Sequence, residues 1–415
     1  MDKALRIAQI CVHACPLRFL GAGALGGMNV YVRELTRALA QRGVSVDVFT
    51  LWHDGLHAQD ITLADSVRFI HIEVGEGRNI PKEATFELLP QFTSEVLGFT
   101  KRNSLKYDLI HSHYWLSAWV AERLKPSLGI PHITTFHTLA EVKERTSPGH
   151  QEPQIRKQTE AEVACSAERI IALTREERRD LANIYKANPE KVRVIPGGVD
   201  LSLFKPVAMA EARARLGISS AKVLLFVGRI DPAKGLDTLL KAFALLQEDR
   251  DVRLVVVGGN ATGHDETARL KALSSELGIA GRVDFRGPVG QRELPFYYSA
   301  ANVTVVPSHH ESFGLVAIES LACGTPVVAS NRGGLGTTVK DGENGFLVEE
   351  LSPESFSKQV LRVLDDEDIE AGLRARARGS VRRYSWDGVG AAMLREYESC
   401  TRTLPTSAPC ERGNK

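Results

Sequence analysis

Residues 223–240 read Val-Leu-Leu-Phe-Val-Gly-Arg-Ile-Asp-Pro-Ala-Lys-Gly-Leu-Asp-Thr-Leu-Leu. Five consecutive apolar residues of strand length end on Gly228-Arg229. Lys234-Gly235 then opens a helical spacing of Leu236, Leu239 and Leu240. Strand, loop and helix in that order form the repeating unit of a parallel α/β sheet, and here the unit starts afresh in mid-chain. Downstream the rhythm continues through Leu254–Val257, Val283–Phe285, Val303–Val306 and Val327–Ala329, with Asn344-Gly345 reading as a turn after the last. Upstream it runs through Ile7–Val12, a helix over Val32, Leu35 and Leu39 stopped by Gly43, then Val46–Phe49, Asp108–His111, Pro131–Thr135, Arg169–Leu173 and Val192–Ile195.

Two such series fit the length, since 415 residues exceed one ordinary core and suit two domains of roughly 200 residues. The expected organisation is an α/β chain of two Rossmann-like, doubly wound domains facing across a cleft. The first spans 1–206 and the second 207–385. A closing helix over 386–404 crosses back to the first domain, and 405–415 form a polar tail. In open α/β sheets ligands bind beyond the carboxyl ends of the strands, so the cleft is the expected site.

Composition excludes several classes. Lysine and arginine number 52 against 51 acidic residues, a net charge of +1, which gives no field for nucleic acid or an anionic bilayer. The apolar runs are far short of the roughly 20 residues that span a membrane, and the start lacks the pattern of a signal peptide; the expected location is the cytoplasm. Six scattered cysteines suit reduced thiols. Cys11 and Cys15 flank His13, and His111 and His113 share a strand face, but neither group has the further ligands of a metal site. An Asp-x-Asp signature for a nucleotide-chelated metal is absent, and Asp365–Asp368 reads as a solvated helix end.

Gly21-Ala22-Gly23-Ala24-Leu25-Gly26 spells the dinucleotide fingerprint. It begins eight residues past the end of its strand, and no acid closes the second strand, so nicotinamide binding is disfavoured. Gly26-Gly27-Met28-Asn29 reads better as a loop entering a helix N-terminus, where bare backbone meets an anion; a plain turn capped by Asn29 is the bland alternative. Arg229 and Lys234 supply a planar fork and a point charge at one strand's carboxyl end, suited to a diphosphate. Glu311-Ser312-Phe313-Gly314-Leu315, followed by Glu319, sets acids eight residues apart, near one face if both are helical. Glu311 just before the helix suits sugar hydroxyls, and the N–H groups at Phe313-Gly314 suit phosphate.

In this order and at these distances, Gly26–Asn29, Gly228-Arg229 with Lys234-Gly235, and the Glu311…Glu319 block resemble the retaining GT-B glycosyltransferases of family 4, over nearly the whole chain. Gly-Gly-Met-Asn-Val-Tyr-Val at 26–32, His-Tyr-Trp-Leu-Ser at 113–117 and His-Thr-Leu-Ala-Glu-Val-Lys at 137–143, with Pro81-Lys82-Glu83 and Glu152-Pro153, carry a narrower resemblance to its mycothiol-pathway branch, with the sucrose-phosphate synthases nearby. The resemblance implies transfer of N-acetylglucosamine from UDP-GlcNAc to inositol phosphate, or of glucose from UDP-glucose to fructose 6-phosphate. It places Arg229 and Lys234 on the donor diphosphate with Gly27, Phe313, Gly314 and Leu315, Glu319 on the ribose and Glu311 on the transferred sugar. Asn29 would face the acceptor ring, Lys82, Tyr114, Thr138 and Arg156 its phosphate, and His137 the reacting carbon. The sequence departs from the branch in Gly235-Leu236 and Asp231.

No carboxylate nucleophile stands out, so front-side attack guided by the departing diphosphate is the expected mechanism, with His137, Arg229, Lys234 and Glu311 as the catalytic set. No cofactor is expected, magnesium being at most a dispensable stimulant; a homodimer is compatible with the sequence. Rival classes are a nucleotide-sugar epimerase, a phosphorylase and a non-catalytic nucleotide-sugar-binding protein.

Overall fold

The structure, a computed structural model, describes residues 4–13, 15–17, 26–52, 60–64, 66–75, 84–146, 151–246, 251–259 and 266–402. The chain divides into two compact units. Gly27–Pro196, the start of the chain and the residues from Trp386 onward make the first, and Gly197–Ser385 makes most of the second. The change-over therefore falls at Pro196/Gly197 rather than after 206, for a local reason. Val199 donates its N–H to Tyr384 O at 2.7 Å, and Arg378 donates to the carbonyls of Leu201 and Phe204 at 3.0 and 2.8 Å, so residues 197–204 are held by the second unit.

The first unit holds an eight-stranded sheet made of β1 (Arg6–Ile10), β2 (Ser45–Leu51), β3 (Asp60–Ala64), β4 (Val67–Ile72), β5 (Leu109–His113), β6 (His132–Thr135), β7 (Arg169–Ala172) and β8 (Val192–Val194). Their order is β3-β4-β2-β1-β5-β6-β7-β8, parallel except for β3 against β4. A parallel sheet is covered on both faces, so its strands read as continuous apolar runs; Ile7, Ile10, Val46, Val48, Ile110 and Ile170 are buried accordingly. The sequence pattern did not reveal β3 and β4, because Thr62, Arg68 and His71 interrupt their apolar runs.

The closing helix, Trp386–Arg402, belongs to the first unit and packs on the helix Gly27–Ala40. Gly390 permits this approach, since a Cβ there would stand 2.8 Å from Ala38 Cβ. Trp386 meets Tyr31 edge-on at 5.4 Å, Arg42 pairs with Asp387 at 2.5 Å, and Tyr397 OH lies 2.7 Å from His111 Nδ1.

The second unit holds six parallel strands, β9 (Lys222–Val227), β10 (Val252–Val257), β11 (Val283–Gly287), β12 (Val303–Val306), β13 (Val327–Ser330) and β14 (Gly345–Val348), in the order β11-β10-β9-β12-β13-β14. Gly345, read from sequence as part of a turn, is the first residue of β14, where a Cβ would stand 1.9 Å from Val327 O. Cys11, Cys15, Cys323 and Cys400 are buried and not in disulfides.

Replacing Gly345 with alanine forces β13 and β14 apart and is expected to destabilise the second unit by about 2 kcal/mol or more. Gly379 is exposed inside the helix Glu367–Val381, and a Cβ there would meet nothing within 4 Å; it should instead gain roughly 0.5–1 kcal/mol as alanine. Thermal melting of the two variants tests the pair. A second expectation concerns pH. Burial holds His111 and His113 well below 6.5 and His137 at about 3, so these stay neutral when folded but take up protons when unfolded. Stability should therefore fall as pH drops from about 6.5 towards 5. Half-buried Glu177, pushed up to about 7 by desolvation, and Glu160, also raised by burial, oppose this with two groups against three. Denaturant midpoints at pH 7.5 and 5 measure the net sign.

Candidate active site

In the first unit the strand order reverses between β1 and β5, and ligands in such sheets bind beyond the carboxyl ends of the strands at that point. The residues carried there are Asn29 on the helix that follows β1, His113 at the end of β5 with Tyr114 after it, and His137 and Thr138 after β6. Tyr114 and His137 hold φ of 76° and 63°, left-handed values that cost about 1–3 kcal/mol each for residues with side chains. Tyr114 donates its N–H to Thr135 O at 2.9 Å, joining the two strained turns.

Arg156 ties this cluster together from the helix Gln154–Ser166. Its side chain is 1% exposed. Nε donates to Glu160 at 2.7 Å, Nη1 to Tyr114 OH at 3.0 Å and to Glu152 at 2.8 Å, and Nη2 to Thr138 O at 2.9 Å and to Thr138 Oγ1 at 3.0 Å. All five guanidinium N–H groups are thereby engaged. Burial alone would lower the Arg156 pKa, but Glu160, Tyr114 and Glu152 raise it, so the guanidinium is charged throughout. Because the Tyr114 and Thr138 oxygens accept from Arg156, their own O–H protons are left to point elsewhere. Glu152 and Glu160 stand four residues on either side of Arg156, a helical spacing that the sequence alone could have shown.

Asn29 lies inside the helix Gly27–Ala40, and its amide donates to Cys15 O at 3.0 Å; it is not the helix cap. Gly27 is the first residue of that helix. His137 Nε2 is 3.1 Å from His113 Nδ1, and the His111 ring lies 4.2 Å from that of His113. His111 Nδ1 faces Tyr397 OH and its Nε2 faces Thr135 Oγ1 at 2.9 Å. Among the described residues no group of three or more His, Cys, Asp or Glu could hold a metal. Lys82, and Gly21 and Gly23 of the fingerprint, lie outside the described residues.

In the second unit the order reverses between β9 and β12, and the loops after those two strands carry Arg229, Lys234 and Glu311. Pro232–Lys234 form one 3-10 turn, capped by Asp231 accepting from Ala233 N at 2.9 Å. Gly235 follows at φ 66°, and a Cβ there would stand 2.2 Å from Pro307 O. With His309 N donating to Ala233 O at 2.9 Å, the two loops are bound edge to edge, and Lys234 Nζ meets Glu311 Oε2 at 2.5 Å, each side chain 22% exposed. Arg229 is 42% exposed and 3.7 Å from Asp231.

The helix Leu315–Ala322 begins beyond Glu311, so Glu311 sits ahead of the helix, as the sequence indicated, and only Glu319 rides on it. Phe313 is buried edge-on against Tyr384 at 5.4 Å, so its ring props the loop. Among the described residues the N–H groups of Phe313, Gly314, Leu315 and Val316 have no hydrogen-bond acceptor, as expected at a helix start. Glu319 is buried and accepts from Tyr298 OH at 2.8 Å, a partner that no sequence spacing indicated. An open groove of about 770 Å³ lined by Arg175, Arg178, Arg179 and Arg193 contains none of these residues.

Residues 25–203 match the family described as Glycosyltransferase Family 4, and residues 209–380 match Glycosyl transferases group 1. The chain is 42% identical over 422 residues to the D-inositol 3-phosphate glycosyltransferase of Thermomonospora curvata, covering 97% of each. It is 40% identical over 411 residues to that of Xylanimonas cellulosilytica, covering 96% of this chain and 98% of the relative. The solved structure of sucrose-phosphate synthase from Thermosynechococcus elongatus superposes with a TM-score of 0.89 at 36% identity, over 95% of this chain and 98% of the other. With two parallel-sheet units and these relatives along nearly its whole length, the chain belongs to the family 4 glycosyltransferases of GT-B fold and is a hexosyltransferase.

Proposed function

We propose that the enzyme transfers N-acetylglucosamine from UDP-GlcNAc to inositol phosphate with retention of configuration. The observation that carries this reading is the Arg156 cluster: one buried cation beside the Tyr114 and Thr138 hydroxyl groups suits an anionic oxygen. A phosphate exchanges for Glu152 at Nη1 and accepts from Tyr114 and Thr138, with Lys82 as the further cation. The names of the relatives at 40–42% identity agree with it.

The second unit takes the donor. Arg229, Lys234 and the helix N–H groups from Phe313 to Leu315 take the diphosphate. Glu319 takes the ribose, and Asn29 lies at the acceptor ring. Glu311 neutralises Lys234; donor binding gives the ammonium to the diphosphate and leaves the carboxylate for sugar hydroxyls. In the transfer the acceptor O–H bond breaks, its proton passes to an oxygen of the departing diphosphate, the C1–O bond to that diphosphate breaks and the C1–O bond to the acceptor forms on the same face. Cations in place before the charge develops do not have to reorganise. No metal enters these steps, and turnover that survives EDTA is expected, with magnesium at most stimulating it. The similarity to sucrose-phosphate synthase supports a second reading, UDP-glucose to fructose 6-phosphate.

UDP release with mass spectrometry of the products separates the readings. A glycosylated inositol phosphate from UDP-GlcNAc supports the first and a disaccharide phosphate from UDP-glucose the second. Donor scrambling without acceptor would point to an epimerase, and UDP binding without turnover to a silent binder. Lys234→Ala is expected to lower kcat by about 10²–10³. Tyr114→Phe and Thr138→Val should each raise the KM for inositol phosphate about tenfold or more, through loss of one hydrogen bond to a charged group, with the donor KM unchanged.

A further inference from the structure

His137 stands at the mouth of the acceptor cluster, and what it can do depends on which ring nitrogen carries the proton. Its Nε2 is 3.1 Å from His113 Nδ1, and two neutral imidazoles share only one proton at that contact. Either His113 donates from Nδ1, or His137 donates from Nε2.

The far side of His113 decides between them. His113 is fully buried, and its Nε2 has no hydrogen-bond partner among the described residues. If His137 donated, His113 would need its proton on Nε2, which would bury an N–H with no acceptor. If His113 donates from Nδ1, its Nε2 is left as a bare lone pair. Orphaned buried N–H groups are rarer than under-satisfied acceptors, so the second arrangement is favoured. His111 cannot supply an acceptor, because its two nitrogens already face Tyr397 OH and Thr135 Oγ1.

We infer that His113 is a positioning residue that occupies the Nε2 lone pair of His137 and fixes it as the neutral Nδ1–H tautomer, so that His137 acts as a hydrogen-bond donor and not as a base. His137 Nδ1 has no partner among the described residues and is not among the fully enclosed nitrogens, which leaves its N–H for an incoming oxygen. Burial, which brings His137 down to about 3, keeps the ring neutral at working pH. The strained backbone at His137, φ 63°, holds the ring against His113, while the Tyr31 ring closes its edge at 5.0 Å. The inference deepens the proposed function at one point: with Nε2 occupied, the acceptor proton has to leave by another route, and the diphosphate oxygen supplies one.

The test is histidine-selective ¹⁵N NMR of the full chain at neutral pH, with resonances assigned through His137 and His113 variants. The expected spectrum shows His137 protonated on Nδ1 and unprotonated on Nε2. Finding the Nε2–H tautomer or the cation overturns the inference, and this reading needs no substrate. His113→Asn, whose amide nitrogen can take the place of Nδ1, should keep that pattern and stay within about threefold of wild-type kcat. His113→Phe should lose both, with a kcat fall of about 10–100-fold, as for other partners that fix a histidine tautomer, and an unchanged donor KM. Equal loss in both variants, or none in either, counts against the positioning role. If His113→Phe does not fold, the wild-type spectrum still decides. Should the enzyme prove inactive on inositol phosphate while the tautomer is as expected, the functional reading fails and the inference stands.

Discussion

Parallel pairing at the centre of each sheet, β1 with β5 and β9 with β12, is the constraint from which the arrangement of chemistry follows. Where the strand order reverses, the loops after two neighbouring strands leave in opposite directions and open a crevice at their carboxyl ends. Asn29, Tyr114, Arg229, Lys234, Glu311 and Glu319 lie in such loops or on the helices they open into, His113 ends β5, His137 and Thr138 follow the neighbouring β6, and Arg156 comes from a separate helix. The second unit shows how closely this can be specified: Gly235 lies so near Pro307 O that the loops after β9 and β12 cannot move independently, and Lys234 and Glu311 are placed by backbone contact before their charges meet.

Arg156 answers a different requirement. A buried cation is tolerated only when its charge and donors are matched, and Glu152, Glu160, Tyr114 and Thr138 match it completely. Glu160 is itself held by Tyr185 OH at 2.6 Å and Ala140 N at 2.8 Å, so this side of the arrangement is rigid. Glu152 is less enclosed and shares Lys143 at 2.7 Å, which makes it the partner that an incoming anion can displace without stranding a charge.

How much of this was legible in the sequence depends on whether a residue acts locally. Strand runs such as Val303–Val306 and the order of the charged motifs could be read directly, because apolar burial and loop position are properties of short segments. β14 was hidden because Gly345 looks like a turn residue until Val327 O is placed beside it. Phe313 read as part of a ligand loop because only Tyr384, 71 positions later in the chain, shows where its ring goes. Tyr298 against Glu319 and His113 against His137 were out of reach for the same reason: the first pair is joined by packing of the helices Leu294–Ala300 and Leu315–Ala322, the second by the pairing of β5 with β6, and neither by a period in the sequence. Lys82 lies outside the described residues, so its place beside Arg156 rests on the resemblance.

The two clusters differ in how they wait for substrate. Lys234 and Glu311 neutralise each other at 2.5 Å while remaining partly exposed, so solvent screens the pair and its rupture is cheap. Tyr114 and His137 instead store strain in left-handed backbone, which persists only where the surroundings over-determine it. Here the surroundings are Thr135 O, Arg156 and His113. The donor side is therefore built to rearrange and the acceptor side to stay fixed, a division suited to an enzyme that must release a charged leaving group while keeping an attacking hydroxyl in place.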